Sequence, residues 1–563
     1  MRHSVRSPWL KKLVLSLSGK QLANEFEKAS HNVRQTQESI LKRVIDSCRD
    51  TVFGREHGFG KIRSIMDYRR AVPVRDFEGH RAYVERMTKG EDNVLFPGKP
   101  LFYNTTSGTA SKPKMIPVSQ EYFRKAHIKL SRLWLYSCLR DNPRMFNGKN
   151  LASAGAAEEG KTDDGTPYGS LSGAVYRNAP SVIKHLYSMP YSVICIKDYR
   201  KKYYAMMRCA LASDIAYIVV TNPSSLLKFH EVVMDNLQDL IRDIRNGSLR
   251  EDVASEIPED ERGVILDKFV PDAARANFLE GIANQNGDAL RPKHYWLNLV
   301  CINTWKQGNC AQILPKLAGY FSESTVIREF GYMASEARGG IVLENDWSSS
   351  ALSINTYHFE FIEESERNSE NPIALLAHEL EVGKRYYILI TNTSGLYRYD
   401  INDIIEVTGF YNQVPLFDFI RKGDGFTSLT GEKLTETQVI EAMERTGRIL
   451  DVQFEYFTMC CDEKNLCYRL FVEFSNGTPG EKRRIFEEEI DCRLAEINPE
   501  YESKRGSGRL PAPVLIELPA RSYERVKDTL VACGMVSEGQ YKTMYLQRKP
   551  QLLAVLEDIS RQF

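Results

Sequence analysis

Small hydroxyl residues, a glycine and two lysines crowd into TTSGTASKPKMIPVS, residues 105–119. In such a run Gly108 lets backbone N–H groups approach an anion, and the hydroxyls of Thr106, Ser107 and Thr109 add donors. Lys112 or Lys114 supplies charge, so the loop suits phosphate oxygens. The G-K-[ST] ending of a Walker A loop is missing, and the same residues also make an ordinary turn. A second run, EFGYMASEARGG at 329–340, sets Tyr332, Ser335 and Glu336 ahead of paired glycines. Its aromatic ring can stack on a purine and its carboxylate can hold Mg²⁺, although an exposed loop would read the same way. In TSGLYRYDINDIIEVTGF, 393–410, an aspartate at a strand end can accept both hydroxyls of a ribose. Asp403 and Asp400 both qualify, with an Asx turn as the plainer role for Asp400. Lys542, in EGQYKTMYLQRKP at 538–550, is a surface lysine on sequence alone and reaches a distant site only if its domain moves.

Other chemistries are not supported. GSLSG at Gly169 has Leu171 where a nucleophile elbow needs serine, His230 and Glu231 lack the second histidine of a zinc helix, and no GxGxxG follows a strand. Eleven cysteines lie scattered, with no CxxC pair, and read as reduced thiols of a cytoplasmic protein. A formal charge of +1 gives no electrostatic reason to expect nucleic acid or an anionic membrane as partner. No run approaches the roughly 18 apolar residues of a membrane span. A monomer acting on small molecules is expected.

The elements that must position these residues follow from periodicity. With 563 residues and 42% apolar side chains the chain supports two or three domains. Residues 20–90 read as helices able to cap a later sheet. From about residue 100, strand-like VLFPG and AYIVVT alternate with the helical EYFRKAHIKLSRLWLYSCL and SSLLKFHEVVMDNLQDLIRDI, which predicts an α/β sheet domain. The acidic stretch 251–290 reads as a helical surface insertion. Strand patterns dominate beyond residue 340, and RKGDGFTS at 421–428 carries the turn residues of a domain boundary. The remainder alternates strand and helix, enough for an independent α+β domain of about 140 residues.

The four motifs, in this order, together with VYRN at 175–178 and FIRKGDG at 419–425, resemble the auxin-responsive-promoter family of acyl acid amido synthetases. That family is similar in turn to the acyl-adenylate-forming enzymes. The resemblance spans about residues 50–548. It implies an α/β fold, with β-sheets sandwiched by helices and a β-barrel-like part in a large domain over 1–421. A hinge at 422–427 and a small rotating α+β domain over 428–563 complete it. Carried over by position, it implies that Thr106, Ser107, Gly108, Thr109 and Lys114 hold ATP phosphates, with Tyr332 by the adenine. Ser335 contacts phosphate, Glu336 the Mg²⁺, Asp403 and Arg421 the ribose, and Lys433 and Lys542 are the catalytic lysines of alternate domain orientations. Tyr122, Trp134 and Tyr176 line the acyl pocket. Two departures bear on substrate handling. Ala110 and Ser111 stand where the wider superfamily has Thr and Gly, and Tyr-Met-Ala-Ser-Glu replaces Tyr-Ala-Ser-Ser-Glu.

The implied reaction is ATP-dependent adenylation of a carboxylic acid followed by acyl transfer to an amine, with an amino acid as the expected acceptor. An acyl-CoA ligase shares the first step, and an inactive homologue acting as a binding protein would share the fold.

Overall fold

The computed structural model describes residues 8–561 apart from 107–113, 258, 267–268, 368, 370, 424–425, 428, 430–431, 433, 463, 476–479, 507–509 and 537–540. By contacts the chain divides into two units whose main parts meet in sequence between Ile420 and Arg421.

The larger unit holds three sheets. Strands Lys149–Ala152, Ile215–Val219, Cys301–Thr304 and Val326–Glu329 form a sheet that is parallel throughout. Both faces of such a sheet must be covered, and its strands are accordingly apolar runs such as IAYIV. Helices Tyr199–Leu211, Ser224–Asp235, Leu237–Asn246 and Ala273–Asn286 contribute to the core beside it. This core corrects the reading of 251–290 as a surface insertion. Val253, Ile257 and Ala276 are fully buried. The acidic residues mark only the outer faces of helices whose inner faces join the core.

A second sheet begins with the hairpin of Phe102–Thr106 and Lys114–Val118, whose connection is the Ser/Thr/Gly run. The strand before that run is therefore Phe102–Thr106 and not VLFPG. Pro97 and Gly98 stop a strand there, and Val94, Leu95 and Phe96 plug the core instead. The third sheet has seven strands in the order Ala374–Leu376, His358–Glu363, Arg385–Thr391, Tyr399–Tyr411, Val414–Lys422, Ser350–Leu352, Gly340–Ile341. Helix Val33–Cys48 caps it as its periodicity requires. Buried Gln37 donates to the carbonyls of Ile354 and Tyr357 and accepts from the Phe359 amide.

A buried ionic cluster ties this sheet to the N-terminal helices. Glu360 accepts from Arg69 Nε and Arg398 Nε, each at 2.8 Å, and Arg398 also donates to the Val72 carbonyl at 2.9 Å. Burial opposes the Glu360 charge, but Arg398, His358 and Arg69 outweigh it and hold the carboxyl below its ordinary range. A depressed carboxylate contributes stability above its unfolded pKa and loses it as pH falls through the folded value, so this cluster weakens only in acid. Glu360→Gln leaves buried Arg398 and half-buried Arg69 without their counter-charge, and urea unfolding should show a loss of about 3 kcal/mol.

The smaller unit is an α+β sandwich. Its sheet runs Val514–Glu517, Cys467–Phe474, Phe454–Asp462, Leu546–Gln547, with an antiparallel central pair and parallel outer pairs. Side chains from Glu436–Leu450 and Gly480–Ile497 build one core cluster with it. Ser522–Ala532 and Pro550–Ser560 build another. All eleven cysteines are free thiols. Among the described residues, no helix is long and apolar enough to cross a membrane.

Candidate active site

Strand Val326–Glu329 of the parallel sheet delivers the chain directly into 330–340, the segment that carries Tyr332, Ser335 and Glu336. The carboxyl ends of parallel strands are where α/β folds place ligands. Buried Glu329 fixes the exit by accepting from the amides of Lys306 at 2.6 Å and Gly331 at 2.9 Å. The paired glycines then let Tyr332 fold back over its own segment. A Cβ on Gly339 would lie 2.9 Å from the Tyr332 ring, and one on Gly340 would lie 2.6 Å from Ser350 Cβ.

Tyr332 and Glu336 of this segment meet Asp403 of the 393–410 run and Tyr122 here. Tyr332 donates its hydroxyl to Asp403 Oδ2 at 2.6 Å. Its ring packs at 5.6 Å across Phe417 and lies nearly parallel to Phe419 at 6.1 Å. Burial, then the Asp403 charge, pushes the Tyr332 phenol well above its ordinary range, so it stays a donor. Glu336, 9% exposed, accepts from the Tyr399 hydroxyl at 3.2 Å through Oε1, and its carbonyl accepts from Tyr122 at 3.2 Å. Burial also keeps Tyr399 protonated.

Asn104 links the pieces. From the strand preceding the Ser/Thr/Gly run, its amide donates to the Ser335 carbonyl at 3.0 Å, while its carbonyl oxygen accepts from the Leu171 amide at 2.9 Å. Asn392 Nδ2 reaches the Glu336 carbonyl at 3.3 Å. Neither asparagine nor Tyr399 stands out in sequence. Asn104 lies in the strand FYNTT, whose other polar residues hide it. Tyr399 looks like a core aromatic until its partner is known.

The remaining residues fall as follows. Asp400 takes the plainer role: it accepts from the Asn402 amide at 2.7 Å, an Asx turn, and pairs with Arg367 at 2.5 Å. Lys114 opens the second hairpin strand, with its ammonium 5.9 Å from the centre of the Phe77 ring. Trp134 is buried edge-on against Phe330 at 5.1 Å. Tyr176 belongs to the other core, stacked on Tyr187 at 3.8 Å and donating to the Met189 carbonyl at 2.8 Å. Ser107, Gly108, Thr109 and Lys433 lie outside the described residues, as do the side chains of Thr106 and Arg421.

In the smaller unit Lys542 is exposed on a short span between two anchors. On one side the Tyr541 ring packs 5.6 Å from Tyr523. On the other, Thr458 donates to the Met544 carbonyl at 2.8 Å and the Met459 amide to that of Tyr545 at 2.8 Å. The backbone bearing the lysine is held while its side chain faces solvent.

A parallel sheet feeding an acidic and phenolic cluster, followed in sequence by a separate α+β unit, defines a two-unit α/β protein. The chain belongs to the GH3 family: the GH3 N-terminal domain matches residues 22–326, the central domain 350–422 and the C-terminal domain 437–551. It is 27% identical over 450 residues to an indole-3-acetic acid-amido synthetase, GH3.2, of Arabidopsis thaliana, covering 76% of this chain and 81% of that one. It is 23% identical to the 4-substituted benzoates-glutamate ligase GH3.12 of the same plant, covering 95% and 96%. Its fold matches a solved GH3.15 acyl acid amido synthetase with a TM-score of 0.82 at 22% identity, covering 95% of each chain.

Proposed function

We propose that the protein is an acyl acid amido synthetase, which uses ATP to adenylate a carboxylic acid and passes the acyl group to an amino acid. The observation that carries this reading is the convergence of Tyr332, Glu336 and Asp403 at the end of a parallel strand, in a chain that matches amido synthetases along nearly its whole length.

The donor set fits a nucleotide and a magnesium ion. Among the described residues no group of three or more His, Cys, Asp or Glu could hold a metal. A single hard carboxylate, Glu336, suits Mg²⁺, which commonly takes one or two protein oxygens and completes its shell with phosphate and water. Bound there, the ion would supply positive charge to the phosphates. Tyr332 offers its ring face to the adenine, and Asp403, oriented by the Tyr332 hydroxyl, holds the ribose together with Arg421. Loop amides with Thr106, Ser107 and Thr109 cradle the phosphates, and Lys114 adds charge.

In the first step an oxygen of the acid attacks the α-phosphorus and pyrophosphate leaves. Both reactants are anions, so the barrier is electrostatic, and the ammonium of Lys542 lowers it. Rotation about residues 422–427 then exchanges Lys542 for Lys433. The amine nitrogen attacks the acyl carbon, AMP departs and a proton is lost. The enzyme works as a monomer in the cytoplasm. The test is exchange of labelled pyrophosphate into ATP across a panel of aromatic and aliphatic acids. Exchange that depends on the acid is expected, and its absence with every acid would contradict adenylation.

A further inference from the structure

Two residues beyond Glu336, Arg338 turns its guanidinium into the protein interior, where it is 3% exposed. It lies 5.2 Å from the ring centres of both Trp134 and Phe330, and Nη1 donates to Ser131 at 3.3 Å. No carboxylate among the described residues pairs with it, and its Nη2 has no hydrogen-bond partner among them. Two neighbours share that condition: the Trp134 indole N–H and His127 Nδ1 are buried without a partner among the described residues. His127, Ser131 and Trp134 occupy one face of the helical stretch that follows the phosphate-loop hairpin.

A buried cation with no counter-charge is costly, and two further unsatisfied polar groups on the helical stretch it packs against add to that cost. Such a group of donors is completed by an anion. The ordinary structural role of a buried arginine, pairing with an internal carboxylate, is taken in this protein by Arg398 with Glu360, and Arg338 has no such partner among the described residues. The groups that surround Arg338 also differ from those that surround Glu336. Tyr122, in the π-helical stretch Tyr122–His127, meets the Glu336 carbonyl, whereas Ser131, in helix Ile128–Asp141, meets the Arg338 guanidinium.

We propose that Arg338, with Trp134 and His127, receives a second carboxylate at the far end of the acid substrate, so that the acid conjugated by this protein is a dicarboxylic acid. The proposal rests on the amido synthetase reading for the reaction at the other end of the molecule, but the recognition itself does not require ATP. Burial holds His127 at a pKa of about 3, so it meets the carboxylate as a neutral donor.

The test compares a series of α,ω-dicarboxylates of increasing length with monocarboxylates of equal length, both in pyrophosphate exchange and in calorimetric binding without ATP. The wild-type protein should favour the dicarboxylate by on the order of 100-fold in kcat/KM, as a site built to pair with a polar group rejects an analogue that lacks it. Arg338→Met should abolish that preference and improve the monocarboxylate, while Arg338→Lys keeps part of it. Trp134→Phe, which retains the ring and removes the donor, should cost about tenfold more with the dicarboxylate than with the monocarboxylate and serves if Arg338→Met does not fold. Equal exchange of both acid types, or parallel loss of both in Trp134→Phe, would overturn the proposal and leave adenylation standing. Arg338-dependent dicarboxylate binding without any exchange would uphold the site and overturn the reaction instead.

Discussion

Lys542→Ala is expected to slow acyl-adenylate formation by about 100- to 1,000-fold while leaving ATP affinity nearly unchanged. That is the range typical of removing one preorganised group aimed at developing charge. The split between rate and affinity arises because an ammonium delivered at the moment of attack contributes to the transition state and little to ground-state binding. The substitution should not disturb the fold. The side chain is exposed, and Tyr541, Met544 and Tyr545 hold the backbone independently of it. Pre-steady-state adenylation beside equilibrium ATP binding separates the two quantities. Equal loss of both would mark Lys542 as a binding residue, and no loss of either would remove it from the reaction.

Glu336→Gln should be nearly as damaging, at about 100-fold or more in adenylation rate, with a higher magnesium concentration needed for half-maximal activity. The amide keeps the shape of the side chain, and its carbonyl oxygen can still accept from Tyr399, so thermal unfolding should be little altered. A neutral oxygen is a poorer partner for a hard dication than a carboxylate. An unchanged magnesium titration in Glu336→Gln would assign the carboxylate a structural task, that of holding Tyr399.

The parts of this site that could be read from the chain are those whose chemistry is local. Tyr332 and Asp403 each stood out because an aromatic ahead of paired glycines and an aspartate in a strand-patterned run have recognisable uses; the fold sets Asp403 inside strand Tyr399–Tyr411 rather than at its end, and brings the two residues to 2.6 Å. What joins them was not legible. Asn104 and Tyr399 act through partners more than sixty residues away in sequence, Ser335 and Glu336. No periodicity encodes such a pairing. The ionic cluster of Glu360 with Arg69 and Arg398 was hidden for the same reason.

The two misplaced elements have simpler causes. VLFPG has strand-like residues, but Pro97 and Gly98 deny it a ladder, and its side chains serve as a core plug. In 251–290 the acidic outer faces masked Val253, Ile257 and Ala276, which are as buried as any residue in the domain. Arg338 escaped notice because a charged residue between Glu336 and the paired glycines reads as solvated, whereas the fold buries it between Trp134 and Phe330.

The most direct measurement is of the product itself. The purified protein, incubated with ATP, magnesium, a panel of carboxylic acids and the amino acids, without coenzyme A, should yield an acyl-amino acid amide by mass spectrometry, with AMP and pyrophosphate formed in equal amounts. Acid-dependent AMP release that gives a thioester only when coenzyme A is added, and no amide with any amino acid, would contradict an amido synthetase.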